Sequence, residues 1–392
     1  MTAVDNCSLA NCKEVEVSVV LPAKDEEKTI GICIDKIKKV FEEGGISGEI
    51  IVSDSSQDRT PVIAKEHGAM VVTPDRKGYG YAYIYAFRYI KGKYVVMGDA
   101  DDTYDFLEMP KLLEPLKNRE ADLVIGSRFK GKIEKGAMPW HHRWIGNPIL
   151  TWFLNLFFKA GISDAHSGFR VIEKNALEKL NLDSEGMEFA SEMIMEATLK
   201  GLRIKEVPIS YYGRKNNNSK LSSFSDGWRH LRFMLINAPN FLFLYPGIFL
   251  LLLGIFLLCS TFFNFIIEYV PEIYSTIAGS LLIISGYQII FFSLFAKIVQ
   301  GKSVPPFLTI ERGVLLGVSF VVCGLAYILY FFFEFMKLGD ELIYLKMIIL
   351  GFVFIFLGIQ TFFSSFMLSA IAEKRRMAIV HFSLTNNPSL DY

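Results

Sequence analysis

Four long apolar stretches without charged residues, all in the second half of the chain, restrict its fold most strongly. They run from Gly247 to Ile267, Ile273 to Ala296, Gly313 to Phe333 and Met347 to Ala372. Each can cross a hydrocarbon core of about 30 Å at about 1.5 Å per helical residue. Four in succession leave no polar face for soluble core helices, so the sequence predicts an all-α transmembrane domain of four helices. With almost no charge inside them, the spans offer no polar path for a transporter. We interpret them as an anchor, and homo-oligomerisation through them stays open.

The first half of the chain is charged and alternates short strand patterns with helical patterns. The predicted strands run from Val15 to Leu21, Glu49 to Ser53, Met70 to Thr73, Tyr94 to Met97 and Leu123 to Ile125, and the predicted helices from Lys28 to Glu43, Thr60 to Glu66 and Tyr79 to Ile90. Strands that alternate with helices favour a mostly parallel sheet flanked by helices. Ligands of such sheets bind beyond the carboxyl ends of the strands, so the residues that follow each strand are the first candidates for a site.

The domain organisation follows from these patterns. We expect an N-terminal tail over 1–14, an α/β domain over 15–230, an interfacial amphipathic segment over 231–246, the transmembrane domain over 247–372 and a tail over 373–392. The apolar stretch from Ile149 to Phe158 is too short to span a membrane and is interpreted as either an interfacial or a core helix. We find no internal repeat.

Charge indicates both the orientation and the class of partner. Basic residues concentrate on one side of the predicted spans, and these are Arg229, Arg232, Lys297, Lys302, Arg312, Lys374, Arg375 and Arg376. The positive-inside rule therefore predicts that the α/β domain and the C-terminal tail are cytosolic. The formal net charge is zero, so no overall positive potential favours binding to a nucleic acid. The lipid bilayer is the expected partner of the apolar spans.

Three acidic clusters follow predicted strands. They are Pro22-Ala23-Lys24-Asp25-Glu26-Glu27, Ser53-Asp54-Ser55-Ser56-Gln57-Asp58 and Gly98-Asp99-Ala100-Asp101-Asp102. Carboxylates gathered at one sheet edge repel each other unless a cation or hydrogen-bond donors offset the charge. Asp99 and Asp101, two residues apart, suit a hard divalent ion that completes its shell with water and phosphate oxygens. A metal ion so held would neutralise a departing nucleoside diphosphate.

These clusters resemble the motifs of family 2 glycosyltransferases with the GT-A fold, and in particular the polyprenyl-phosphate sugar synthases such as dolichol-phosphate mannose or glucose synthase. Further segments match that branch in the same order, namely Gly126-Ser127-Arg128, Asp164 to Arg170, Gly186 to Glu192 and Ser219-Lys220. The resemblance covers about Val17 to Arg232. It implies a nucleotide-sugar donor, a Mg²⁺ or Mn²⁺ cofactor, and a polyprenyl (dolichyl-type) phosphate acceptor.

The resemblance also assigns donor-side residues. It implies nucleoside contacts at Pro22, Ala23, Glu26 and Asp54, and it places Asp99 by the ribose and diphosphate. Asp99 and Asp101 would hold the metal ion. Relatives supply a further Gln ligand where this chain has Thr103, so the third metal ligand is left open between Asp102 and water.

The acceptor side is expected to be cationic. A sugar hydroxyl must lose a proton before it attacks, whereas a lipid phosphate is already an anion and needs positioning and charge relief. The chain offers Arg128, Arg170, Arg214 and Lys220, and an arginine fork matches phosphate oxygens well. Of these, Arg128, Arg214 and Lys220 fall at family positions. We therefore expect Asp101, Arg128, Arg214 and Lys220 to be the catalytic residues.

The predicted reaction is inverting transfer of a hexose to a polyprenyl phosphate, with a UDP-hexose donor favoured over GDP-mannose by the resemblance. The main alternative is a membrane glycosyltransferase with a hydroxyl acceptor, such as a glycolipid or polysaccharide synthase. Processive members of the family usually carry a Gln-x-x-Arg-Trp motif, and Asp226-Gly227-Trp228-Arg229 does not supply it. A non-catalytic scaffold that binds a nucleotide-sugar is disfavoured because the acidic motifs are intact.

Overall fold

The structure is a computed structural model that describes residues 14–214, 223–263, 273–302, 309–338 and 342–385. The chain divides into two compact units between Met234 and Leu235. The first unit is α/β, and the described part of the second is helical.

In the described residues of the first unit, seven strands form one sheet in the order β3-β2-β1-β4-β6-β5-β7. The strands are β1 Val17–Ala23, β2 Gly48–Asp54, β3 Met70–Val72, β4 Tyr94–Met97, β5 Leu123–Ile133, β6 Arg170–Glu173 and β7 Ile204–Tyr211. β1 pairs in parallel with β2 and β4, β2 with β3, and β5 with β7, whereas β6 is antiparallel to both β4 and β5. The predicted mostly parallel sheet flanked by helices is confirmed.

Helices cover the sheet and bury its apolar side chains. They are α1 Ile30–Gly44, α2 Thr60–Glu66, α3 Tyr79–Ala86, α4 Met109–Lys117, α5 Asn147–Phe158, α6 Lys174–Leu177 and α7 Phe189–Leu199. A further helix, α8 Ser223–Asn237, runs across the boundary between the two units. In α1 the buried residues Ile30, Ile34 and Ile37 recur at helical spacing against strand residues of the core. A left-handed Gly45 (φ 59°) then ends the helix, with its amide bonded back to Glu42.

The second unit contains, within its described residues, four helices long and apolar enough to cross a membrane. They are α9 Tyr245–Phe263, α10 Ile273–Val299, α11 Ile310–Leu338 and α12 Leu342–Thr385. The four predicted spans are thus confirmed as helices over the described residues, positions 264–267 of the first span lie outside them, and α12 continues beyond the apolar window at Ala372. Tyr287 of α10 and Thr361 of α12 meet through their hydroxyl groups at 2.7 Å.

Glycine pairs bring the helices of each antiparallel hairpin into backbone contact. A Cβ on Gly254 would lie 2.6 Å from the Gly279 carbonyl oxygen, and one on Gly324 would lie 2.8 Å from that of Gly351. Each hairpin has a second glycine pair, seven residues from the first on both helices, with Gly247 against Gly286 and Gly317 against Gly358. Small residues permit such close packing in a membrane. The α9–α10 and α11–α12 hairpins therefore share one glycine pattern, a repeat that the sequence analysis missed.

Candidate active site

The acidic clusters meet at the carboxyl edge of the sheet because β2, β1 and β4 are adjacent and parallel. Ala23, at the end of β1, lies in register with Asp54, at the end of β2, and its carbonyl accepts from the Ser55 amide at 3.0 Å. Asp54 is buried, and this burial raises the pKa of its carboxyl, although Ser56 donates to it at 2.5 Å. Pro22 precedes Ala23 in β1. Of the predicted nucleoside-side residues, Pro22, Ala23 and Asp54 therefore lie on two neighbouring strands, and Glu26 follows the end of the first of them.

Arg214 joins two of the predicted clusters. Its Nη2 donates to Glu26 Oε1 at 2.7 Å, and its Nε lies 3.2 Å from Asp101 Oδ2. One guanidinium thus bridges an expected nucleoside contact and an expected metal ligand. Lys220, the other cation predicted from this part of the sequence, lies outside the described residues.

Asp99 lies between Tyr79 and the neighbouring Asp101. The Tyr79 hydroxyl donates to Asp99 Oδ1 at 2.9 Å. Burial, and then the charge of Asp101, raise the pKa of Asp99 to about 7, while the Tyr79 hydrogen bond and the charges of Arg128 and Arg214 act in the opposite direction. Both guanidinium groups therefore act electrostatically on this carboxylate, and a cation between the two aspartates would relieve their repulsion.

The two residues that follow Asp101 make contacts within the protein. Thr103, which stands where relatives carry a Gln ligand, donates its hydroxyl to Asp101 Oδ1 at 2.6 Å. Asp102, the alternative third ligand, forms a 2.8 Å ion pair with Lys36 of α1. Among the described residues, no group of three or more His, Cys, Asp or Glu side chains is arranged to hold a metal ion. The arrangement still fits Mg²⁺ or Mn²⁺, because such an ion needs only one or two carboxylates beside water and substrate phosphates.

Arg128 is buried in a bidentate ion pair that the sequence analysis did not predict. Its Nε and Nη2 each donate to Asp164 at 2.8 Å, and the guanidinium lies 5.2 Å from the centre of the Tyr211 ring. Complete burial would raise the pKa of Asp164, but the charge and hydrogen bonds of Arg128 hold it below its usual range. Within the described part of the chain, the hydrogen bonds of the Arg128 side chain go from Nε and Nη2 to the two carboxylate oxygens of Asp164.

Glu206 of β7 holds the segment that carries Asp164. Its Oε1 accepts from the amides of Ser163 and Asp164 at 2.8 and 2.9 Å, and its Oε2 forms a 2.8 Å ion pair with Lys130. No motif drew attention to Glu206, because its partners are remote in sequence. This network fixes the Asp164 carboxylate and hence the Arg128 guanidinium.

Arg170, another candidate phosphate cation, is used within the fold. It is buried and donates to the carbonyl oxygens of Ser167, Ala190 and Ala165 at 2.7 to 2.8 Å. Its hydrogen bonds hold together the motif segment from Asp164 to Arg170 and the start of α7. A direct role at the acceptor is therefore no longer expected.

Gly168 lies against the Asp99 carboxylate. A Cβ there would come 2.8 Å from Asp99 Oδ2 and 3.1 Å from the Tyr79 hydroxyl, and the Gly168 amide donates to the Tyr104 hydroxyl at 2.7 Å. Only glycine permits this approach of the backbone to the carboxylate.

We therefore expect Gly168→Ala to displace Asp99 and to lower glycosyl transfer by about 10- to 100-fold, the loss typical when a partner of a metal ligand is removed. The measurement is the initial rate with saturating donor, with folding checked by thermal melting. Gly227→Ala in α8 is the matched control, because a Cβ there meets nothing within 4 Å. Equal rates for the two variants would contradict the assignment.

The α5 region exposes a large apolar face. Trp140, Trp144 and Trp152 are 68%, 70% and 57% exposed, and Ile145, Ile149 and Leu156 are also exposed, whereas Thr151, Leu154 and Phe158 are buried. Arg143 stacks on Trp144 at 5.4 Å. One face of this helix is thus buried and the other is exposed, so neither the core nor the interfacial interpretation is excluded. A large aromatic face with basic neighbours is typical of a membrane interface.

Comparison with known proteins gives matches over both units. The model of the family "Glycosyl transferase family 2" matches residues 18–181, and that of the "Glycosyltransferase family 2 C-terminal transmembrane region" matches residues 302–372. The chain is 45% identical, over 91% of its length and 89% of the relative's, to the low-salt glycan biosynthesis hexosyltransferase Agl6 of Haloferax volcanii. It is 32% identical to the dolichyl-phosphate hexose transferase of the same organism, over 54% of this chain and 89% of the relative. A crystal structure of glucosyl-3-phosphoglycerate synthase from Mycobacterium tuberculosis aligns with a TM-score of 0.47 at 23% identity, over 57% of this chain and 80% of that one.

Proposed function

The chain belongs to glycosyltransferase family 2 and is a membrane glycosyltransferase, and we propose that it transfers a hexose from a nucleoside-diphosphate sugar to a polyprenyl phosphate. The observation that carries the proposal is the contact of Arg214 with both Glu26 and Asp101, beside an Asp99 carboxylate on which the charges of Arg214 and Arg128 both act. Such a site suits two anionic substrates at once. The names of two relatives, a hexosyltransferase of glycan biosynthesis and a dolichyl-phosphate hexose transferase, support the same class of reaction.

On the donor side, the nucleoside lies along the ends of β1 and β2, near Pro22, Ala23, Glu26 and Asp54. A divalent cation held by Asp99 and Asp101 would neutralise the charge that develops on the leaving diphosphate. Thr103 orients Asp101 for this role through its 2.6 Å hydrogen bond.

On the acceptor side, an oxygen of the lipid phosphate attacks the anomeric carbon of the hexose. The new carbon–oxygen bond forms as the bond to the nucleoside diphosphate breaks, the diphosphate leaves with the electron pair, and the anomeric configuration inverts. No proton has to be removed, since a phosphate monoester is already ionised at neutral pH. Arg128, Arg214 and Lys220 bind and orient the phosphate and reduce its repulsion from the diphosphate.

The site is proposed to act on the cytosolic face of the membrane. Basic residues such as Lys297, Lys302 and Arg312 flank the ends of the spans on the side assigned to the α/β domain. The apolar face formed by Trp140, Trp144 and Trp152 provides a surface that can enter the bilayer interface, where a lipid phosphate presents its headgroup. The segment 231–246 is proposed to have a similar interfacial role.

The test is transfer of labelled sugar by the purified full-length protein with Mg²⁺ or Mn²⁺ and a polyprenyl phosphate. A panel of UDP- and GDP-sugars is offered, and label is counted in the organic phase. We expect label from a UDP-hexose in preference to GDP-mannose. Release of nucleoside diphosphate without organic label, together with transfer to an added hydroxyl acceptor, would overturn the proposal in favour of a glycolipid or polysaccharide synthase.

A further inference from the structure

A half-buried tyrosine hydroxyl lies against one of the two proposed metal ligands. Tyr79, the first residue of α3, donates to Asp99 Oδ1 at 2.9 Å, and the backbone of Gly168 lies against the other carboxylate oxygen, Oδ2. The carboxylate is thus confined from both sides.

The start of α3 is itself locked in place. The amides of Gly80 and Tyr81 donate to the carbonyl oxygens of Gly186 and Glu185 at 3.2 and 3.1 Å. A Cβ on Gly80 would lie 2.0 Å from the Ser184 carbonyl oxygen, so no larger residue fits between α3 and that loop. Tyr79 therefore projects from a fixed backbone, and its hydroxyl cannot follow Asp99 if the carboxylate rotates.

We propose that Tyr79 is a positioning residue for the donor and metal site, which orients Asp99 by its hydrogen bond so that the carboxylate meets a divalent cation and the donor diphosphate in one fixed geometry. This inference rests on the proposed function of the site, but only on its donor half. Metal ligands are commonly oriented by hydrogen bonds from a second layer of residues, and loss of such a partner typically weakens metal binding by about 10- to 100-fold.

The alternative is that Tyr79 contributes only packing, since its ring meets that of Tyr83, one turn later in the same helix, edge to face with ring centres 5.3 Å apart. Phenylalanine at position 79 keeps the ring and removes only the hydroxyl. Tyr81 provides a matched control on the same helix, because its hydroxyl donates to the exposed Asp75 Oδ1 at 2.6 Å and not to a proposed metal ligand.

The experiment measures Mn²⁺ binding to full-length protein in the presence of UDP, by the loss of the free-ion electron paramagnetic resonance signal. We expect Tyr79→Phe to weaken Mn²⁺ binding by about 10- to 100-fold and Tyr81→Phe to change it by less than about twofold. In transfer assays excess Mn²⁺ should restore most of the rate of the Tyr79→Phe enzyme, which a packing defect would not allow.

Wild-type affinity in Tyr79→Phe, an equal loss in Tyr81→Phe, or a wild-type protein that does not bind Mn²⁺ would each overturn the inference. The binding assay contains no lipid. Failure of the acceptor half of the proposed function therefore appears separately, as absence of organic label from an enzyme that binds Mn²⁺ and UDP normally.

Discussion

Asp101→Asn is expected to reduce glycosyl transfer by about three orders of magnitude, the largest effect of any single substitution in the site. The variant keeps the size of the side chain and can still accept from Thr103, but it removes the charge that faces Arg214 and the proposed metal ion. The leaving diphosphate would then lose its counter-charge. The measurement is the initial rate of labelled product formation at saturating donor and acceptor.

Asp102→Asn is the matched control for this loss. Asp102 is the adjacent carboxylate, and asparagine tolerates its left-handed backbone (φ 60°). Lys36 would keep its second partner, Asp105, at 3.3 Å. We expect Asp102→Asn to retain activity within about tenfold, since its carboxylate is engaged by Lys36 through charge-assisted bonds worth about 1.5–3 kcal/mol. Comparable losses in the two variants would point to Asp102 as a further metal ligand, and near-normal turnover of Asp101→Asn would exclude Asp101 as a ligand.

The arrangement of the proposed donor half of the site was largely predictable from the sequence, because its determinants are local. Alternating apolar runs locate β1, β2 and β4, and parallel pairing then brings the residues after them to one edge. The clusters around Asp54 and Asp99 follow from that geometry alone. The four spans could be predicted for the same reason, since length and lack of charge are properties of each segment alone and do not depend on what the helix packs against.

The acceptor half depends on pairings between distant residues. β6 has only four residues and lies between β4 and β5 against the direction of both, which no periodicity predicts. β5 continues to Ile133, beyond its predicted end at Ile125, because it pairs again with β7 after an irregularity between Ser127 and Lys132. Arg128 lies in this extension, and its partner Asp164 is 36 residues away. The sequence therefore identified Arg128 as a cation but not the buried ion pair.

That ion pair decides how Arg128 is best tested. Removal of the guanidinium would leave Asp164 charged and buried without a partner, at a cost of about 3–5 kcal/mol, and an unfolded variant would say nothing about the acceptor. Arg128→Lys keeps the charge but loses the planar fork that holds Asp164 and is proposed to bind the lipid phosphate. We expect kcat/KM for polyprenyl phosphate to fall by about 10- to 100-fold, the equivalent of one charged hydrogen bond, while the KM for the donor changes by less than about threefold.

Arg203→Lys separates this effect from the general consequence of replacing a paired arginine. Arg203 makes the same two-pronged contact with Asp122, through Nε at 3.1 Å and Nη2 at 2.7 Å, but at the surface, where the side chain is 56% exposed. Its replacement should leave both kinetic constants unchanged, because an exposed ion pair contributes at most about 1 kcal/mol. A rise in donor KM for Arg128→Lys would instead assign Arg128 to the diphosphate. Unchanged kinetics with a lowered melting temperature would show that the guanidinium serves the fold alone, and Arg214 and Lys220 would then be the remaining candidates for binding the lipid phosphate.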